Sequence, residues 1–408
     1  MKCRHCAAPL SLRLLDLGSA PPSNAFLDRA ALSRPETWYP LRVFVCESCW
    51  LAQTEDYVRA NELFTDDYAY YSSCSQSWLG HAQRFVATMV DRFDLGPSSL
   101  VIEVAANDGY LLRYAKEHGL ACFGIEPAAG PAARARALGI DIEHAFLGRA
   151  VGERLARARG QADLLVANNV LAHVPDINDF VAGLVSLLKA DGVLTVEFPH
   201  LLRLIEDAQF DTIYHEHFCY LSLHAVTRIF AAAGLHVFDA ESIPTHGGSL
   251  RVFAAHAAQS VETTPRCAQI LAAEVEHGLS RREGYAGLQA RADAIRQGLL
   301  RFLLQARSEG KRVGAYGAAA KGNTLLNFAS VRPDLLPWVA DISPVKQGRY
   351  LPGIRIPVVD PSWLERERPD YILILPWNLR EEIMSQLEPV RAWGGRFVIA
   401  VPGLQIFE

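Results

Sequence analysis

The chain contains no run of about 18 apolar residues, and its first residues, MKCRHCAAPLSL, lack the apolar core of a signal peptide. Neither a membrane span nor a secretory leader is expected. No charge sign dominates: 40 basic and 45 acidic residues leave a formal net charge of −5, without a long block of either. A nucleic-acid or anionic-membrane partner calls for a basic stripe, and none is visible. Small anions stay open as ligands, because helix N-termini and single Arg or Lys residues bind them locally. An HExxH pattern is missing too. In DTIYHEHFCYLS (211–222) the two histidines are two apart, on nearly opposite sides of any helix, which excludes the zinc-protease arrangement. A GxGxxG pattern is absent where strands run through tight turns into helices, so no pyrophosphate cradle is evident. Finally, a disulfide framework is missing: Cys74, Cys122, Cys219 and Cys267 are scattered, which predicts reduced thiols and a cytoplasmic protein.

What is present is a globular chain of 408 residues, half of them hydrophobic and a fifth charged, long enough for two or three domains. Residues 1–72 are turn-rich and short-stranded, and RVFVCESC reads as a strand running into a turn. Cys3, Cys6, Cys46 and Cys49 form two CxxC pairs, the spacing that supplies four thiolates to one tetrahedral zinc. With no open-site ligand evident, that zinc is expected to be structural. From 73 to 256 strands alternate with helices: LVIEVAAN, ACFGIEP, ADLLVANN, VLTVEFPH, LHVFDAESI and LRVFAAH read as strands, and DFVAGLVSLLKADG as a helix capped by Gly192. Residues 257–408 open with an amphipathic helix carrying Leu288, Ala292, Ile295, Leu299 and Phe302 on one face. They continue as a second, smaller α/β domain from KRVGAYGAAAKGNTLLNF onward. Repeated β-α units predict mostly parallel sheets, covered on both faces, with ligands at the carboxyl ends of the strands.

In the middle domain, VIEVAANDGYLL occupies the first strand-turn-helix, and Glu126 ends the next strand, 23 residues after Glu103. A carboxylate there can accept hydrogen bonds from both ribose hydroxyls, which suits NAD and S-adenosylmethionine equally. The missing phosphate cradle leans toward S-adenosylmethionine. The candidate cofactor residues are Glu103, Ala105, Asn107, Gly109 and Glu126, with Asn168 at the end of a further strand.

The order of pieces is itself recognisable. CxxC…CxxC, EVAANDGYLL, YHEH, HGGSLR, GAYGAAAKGNTLLN and SPVKQGRYLPGIRIPV, taken together over essentially the whole chain, resemble the bacterial nucleotide-sugar C-methyltransferases. The resemblance implies a class I (Rossmann-like) methyltransferase domain, flanked by a small N-terminal zinc-binding domain and a C-terminal Rossmann-like α/β domain. It implies S-adenosylmethionine in the middle domain and a nucleotide-linked (TDP) 4-keto-deoxysugar held by the C-terminal domain. Lys321, Asn323 and Thr324, with Lys346 and Arg349, are the candidates for that substrate, since small residues, a cation and a helix start suit an anion.

Carbon methylation needs a carbanion, and the hydrogen beside a sugar ketone is acidic enough for neutral imidazole. His217 is the candidate base, its ordinary pKa of about 6.5 being close to working pH. The resemblance maps the accompanying roles onto Tyr214, as a donor to the enolate oxygen, and Glu216, as an orienting group, and adds Tyr68 and His173. His215 is expected to be structural, and His200, His224 and His246 are read as satisfied interior or rim histidines. Two rival readings follow from the same residues: a nicotinamide-dependent nucleotide-sugar oxidoreductase, and a zinc-domain module that binds nucleic acid or protein. The oligomeric state is not legible, a monomer being plausible.

Overall fold

The computed structural model describes residues 1–57 and 71–408, whose strands form three sheets. The first is antiparallel and contains β1 (Leu12–Ala20), β2 (Tyr39–Val45) and β3 (Ala52–Thr54). Alternation along β2 turns Leu41, Val43 and Val45 inward, each at most 2 % exposed, as period-two patterning requires. The chain then tightens at Cys46, whose carbonyl accepts from Trp50 N–H at 2.7 Å.

The second sheet has seven strands and organises the middle of the chain. Its parallel members are β4 (Leu100–Val104), β5 (Ala121–Ile125), β6 (Ile142–Glu143), β7 (Ala162–Asn168) and β8 (Leu188–Pro199). One further two-residue strand, β9 (Cys219–Tyr220), leaves this region and pairs with β3, completing the first sheet. The seven-stranded sheet is closed at one side by β10 (Leu235–Ile243) and β11 (Ser249–His256). The order is β10-β11-β8-β7-β4-β5-β6, with β11 antiparallel between β8 and β10. Ile102, Leu165 and Val196 are fully buried, as a sheet covered on both faces demands. Helix α1 (Gln76–Phe93) covers one face with Ala82, Phe85, Val86 and Met89. It starts at Ser75, whose hydroxyl accepts from Trp78 N–H, a standard N-cap.

One expected element is different. Helix α2 (Ile177–Leu187) stops five residues before Gly192, and Leu188 already pairs with Ala162 as the start of β8. Gly192 is therefore not a helix cap. It lies inside the strand, where a Cβ would come within 2.5 Å of the Ala162 carbonyl.

Helix α3 (Leu223–Ala232) and helix α4 (Pro265–His277) lead to α5 (Leu288–Ser308), which buries Leu288, Ala292, Ile295, Leu299 and Leu303 as its spacing predicts. Phe302 lies at the edge of the same packing. The third sheet follows: β12 (Val313–Tyr316), β13 (Val339–Ala340), β14 (Val358–Val359), β15 (Tyr371–Ile374), β16 (Arg396–Ile399) and β17 (Gln405–Phe407). All are parallel except the last, and helix α6 (Ala320–Phe328) follows β12. One apolar cluster joins Val43 of the first sheet, Phe210, Leu299 of α5 and Leu373 of the third sheet. The N- and C-terminal units thus share a core. No helix among the described residues is long and apolar enough to cross a membrane.

Candidate active site

The carboxyl ends of β4, β5 and β7 lie side by side. The turn after β4 holds Ala105 (φ 57°) and Asn107 (φ 48°) in the left-handed region, backbone strain of the sort that collects at ligand sites. Gly109 (φ 79°) completes it, and a Cβ there would sit 2.4 Å from Ile140 Cδ1. Glu126 fastens the turn. Its Oε2 accepts from Asn107 N–H at 2.9 Å and its Oε1 from Ala128 N–H at 2.8 Å. Burial pushes this carboxyl up to about 6, against those two backbone bonds. Glu103 is buried below the turn, and burial holds its carboxyl well above the carboxylate range. Among the described residues its Oε2 is buried without a partner, as are Asn168 Oδ1 and Asn169 Nδ2. All six candidate cofactor residues therefore meet at one edge, among orphaned polar atoms that a bound ligand would satisfy.

The two CxxC pairs converge. All four sulfurs lie within 4.8 Å of one another, with Cys3–Cys49 and Cys6–Cys46 at 3.5 Å. Four thiolates and no open position are the ligand set of a structural zinc. Gln53 on β3 donates to Cys3 Sγ at 3.4 Å, an outer contact of the sort that orients a metal ligand.

YHEH lies between the first and second sheets and sends its histidines opposite ways. His215 points to the first sheet, its Nε2 3.3 Å from the Pro40 carbonyl and its ring edge-on to Tyr39. The His217 Nδ1–H donates to the Thr212 carbonyl at 3.0 Å. A nitrogen facing a carbonyl must carry the hydrogen, which leaves the lone pair on Nε2. Its ring packs 4.0 Å from Tyr214 and 4.6 Å from His173, centroid to centroid. Burial, then the proximity of His173, pushes His217 well below its ordinary value, so it is neutral. His173 donates from Nδ1 to the Glu216 carbonyl at 2.8 Å, and burial lowers it to about 4. Glu216 is buried, its carboxyl pushed up by burial, with Oε1 accepting from Asn24 N and Nδ2 at 3.2 Å each. Tyr68 lies outside the described residues.

The C-terminal candidates divide. Lys321 Nζ donates to Asn378 Oδ1 at 2.6 Å and lies 4.8 Å from the centroid of the Trp377 ring. Trp377 Nε1–H in turn donates to Asp211 Oδ2 at 2.8 Å, which brings Lys321 to the YHEH segment. Thr324 is turned inward, its hydroxyl donating to the Ile213 carbonyl at 2.9 Å, and Asn323 is buried beside it. Lys346 donates to the Ala318 carbonyl at 2.9 Å, bracing the turn before α6, and Arg349 is half-buried on the same stretch.

Sequence reasoning passed over several residues here. His246, set aside as an interior or rim histidine, has φ 57° and ψ 18° and a buried Nδ1 without a partner among the described residues. Its ring meets Trp78 edge-on at 5.1 Å, and Trp78 stacks on His81, which bonds Glu197 Oε2 at 2.9 Å. The signal was the pair of glycines after His246, since Gly247 (φ 91°) and Gly248 (φ 113°) let the hairpin fold tightly against Trp377 and Arg203. His200, by contrast, is a satisfied interior residue, 2.7 Å from Glu274 Oε1.

Comparison with known proteins agrees with this architecture. Residues 3–64 match a family described as "putative zinc binding domain", 78–240 a methyltransferase domain and 244–402 a C-methyltransferase C-terminal domain. The C-methyltransferase NovU of Streptomyces niveus is 34 % identical over 401 residues, spanning 98 % of this chain and 95 % of the relative. Solved structures align over the middle of the chain. Magnesium protoporphyrin IX methyltransferase from Synechocystis PCC 6803, with bound S-adenosylmethionine, is 16 % identical (TM-score 0.33, 44 % of this chain, 81 % of that one). The PH0226 protein from Pyrococcus horikoshii OT3 is 12 % identical (TM-score 0.37, 46 % and 95 %). The seven-stranded order with its antiparallel insertion is that of class I methyltransferases, the S-adenosylmethionine-dependent fold. The chain belongs to the C-methyltransferases that join an N-terminal zinc-binding domain, a class I methyltransferase domain and a C-terminal α/β domain.

Proposed function

We propose that the protein methylates the carbon beside the ketone of a nucleotide-linked (TDP) 4-keto-deoxysugar. The observation that carries this reading is His217: a buried, neutral imidazole whose Nδ1–H bond to Thr212 leaves Nε2 as the proton acceptor. Transfer to nitrogen or oxygen needs no carbon acid, whereas transfer to carbon does. Burial makes this imidazole a weaker base than its ordinary value implies, contrary to the sequence expectation, so stabilisation of the enolate must supply the rest of the driving force.

Bound S-adenosylmethionine supplies an electrophilic methyl group. Glu126 is placed for its ribose hydroxyls, since each carboxylate oxygen retains a lone pair beyond its backbone bond. Glu103, Ala105, Asn107, Gly109 and Asn168 surround that position. His217 removes the proton beside the ketone. Tyr214, against the His217 ring, is the hydroxyl donor to the developing enolate oxygen, and Tyr68 is a further neighbour by family likeness. Through its carbonyl, Glu216 holds His173, whose ring packs on the base. Lys346, near the start of α6, and Arg349, three residues on, are the cations for the diphosphate.

The test is incubation with S-adenosylmethionine and a panel of 4-keto nucleotide sugars, with NMR detection of a new carbon-bound methyl. Product carrying the methyl on oxygen or nitrogen would refute the reading. A nicotinamide enzyme would instead bind NAD calorimetrically, which the turn without GxGxxG disfavours.

A further inference from the structure

Lys321 was expected to serve the diphosphate, yet its surroundings fit another task. Its ammonium has three donors, and among the described residues only Asn378 Oδ1 accepts from it. It lies over the Trp377 ring, whose Nε1–H bonds Asp211. Asp211 is fully buried, with Oδ1 unpartnered among the described residues. The next residue along, Thr212, gives the carbonyl that orients His217. The far edge of Trp377 touches Gly247, beside His246. One indole therefore connects the lysine, the base-holding segment and the HGGS hairpin. The positive charge of Lys321 reaches both His217 and His246, adding to the burial that already lowers them. A site where one negative charge appears transiently gains from a cation held close to the base.

Resting on the reading above, we propose that Lys321 is a catalytic residue whose ammonium binds the ketone oxygen of the sugar and stabilises the enolate formed as His217 acts. In that step the C–H bond breaks and its proton passes to His217 Nε2. The C–H electron pair forms the carbon–carbon double bond, and the carbonyl π pair moves to oxygen, where the N–H donors of Lys321 that no described residue engages meet it. Asp211 and Asn378 are positioning residues for the lysine.

The test uses the full chain, comparing wild type with Lys321→Met. With S-adenosylhomocysteine bound, so that methyl transfer cannot outrun reprotonation, deuterium wash-in beside the ketone is followed by NMR in deuterium oxide. The variant is expected to exchange about 10²–10³-fold more slowly, while calorimetric affinity for thymidine diphosphate alone stays within about twofold of wild type. Wild-type exchange in the variant overturns the proposal. So does a loss of thymidine diphosphate affinity of tenfold or more with kcat at saturating substrate intact, which would return Lys321 to the diphosphate. A wild type that neither methylates nor exchanges any 4-keto nucleotide sugar would overturn the functional reading itself, and is told apart because the variant is not involved. If Lys321→Met fails to fold, Lys321→Gln takes its place under the same criteria.

Discussion

A histidine whose Nδ1 faces a carbonyl has its tautomer decided by the backbone, and His217 is such a residue. His217→Asn should leave both ligands bound and slow turnover by about 10²–10⁴-fold. If His217 is the base it works when neutral, so kcat should fall only as pH drops through a folded pKa that burial holds below 6.5. A pH–rate profile with its acid limb above that value would contradict the assignment. His215→Asn should hardly change kcat and should lower thermal stability, because this ring packs on Tyr39 instead. Asp211 gives a separate linkage test. Burial raises its carboxyl from 3.8 to about 6, against the pull of Lys321 and the Trp377 bond. A raised folded value means that its contribution to stability is complete below about pH 4 and lost as pH rises through about 6. Asp211→Asn should therefore melt closer to wild type at pH 4 than at pH 7.5, where it should be the more stable of the two. The opposite facing of His215 and His217 was not legible from their spacing of two, because that rule holds on a helix and residues 215–216 form a turn. Nor was the place of Lys321, because it depends on how β15 and its following turn dock against residues 211–217, a contact no local pattern encodes.

At the scale of elements, the turn at 105–109 and Glu126 act as a unit. Because Glu126 accepts from two backbone N–H groups and is proposed to bind the cofactor ribose, its loss should have two effects. Glu126→Ala should weaken S-adenosylmethionine about tenfold to a hundredfold, the range of a charge-assisted hydrogen bond, and should also lower the melting temperature. Glu126→Gln, which keeps an acceptor, should fall between. Unchanged calorimetric affinity in folded Glu126→Ala would remove this residue from the site. Glu274 plays a comparable part for α3: its carboxylate accepts from Leu223 N–H at 2.6 Å and His224 N–H at 2.9 Å while bonding His200. Glu274→Ala should cost about 1–3 kcal/mol by urea unfolding, because two buried groups and one part-buried N–H lose their partner. Strands were legible where apolar runs are continuous, as in LVIEV and ADLLVAN. The end of α2 was misread because Leu187 and Leu188 continue an apolar pattern that either a helix or a strand can carry. The pairing of Leu188 with Ala162 decides it.

Across the whole molecule, the metal site and His217, the proposed base, are connected. Gln53 contacts Cys3 Sγ, and the next residue, Thr54, donates from its N–H to the Phe218 carbonyl and from its hydroxyl to the His217 carbonyl. Zinc removal should accordingly reduce kcat before it affects S-adenosylmethionine affinity, since the 105–109 turn hangs on a different sheet. Elemental analysis should give about one zinc per chain, and full activity in metal-free protein would contradict the connection. The CxxC spacing made the metal cluster legible. The reach from cluster to base was not, because β9 is only two residues long and carries no strand pattern of its own. That same two-residue strand imposes an order on the nascent chain. The first three strands leave the ribosome well before their fourth partner, so the zinc knot can tie early while one sheet edge stays bare. A chain stalled before residue 219 would hold its metal yet present that open edge to any neighbour able to add a strand.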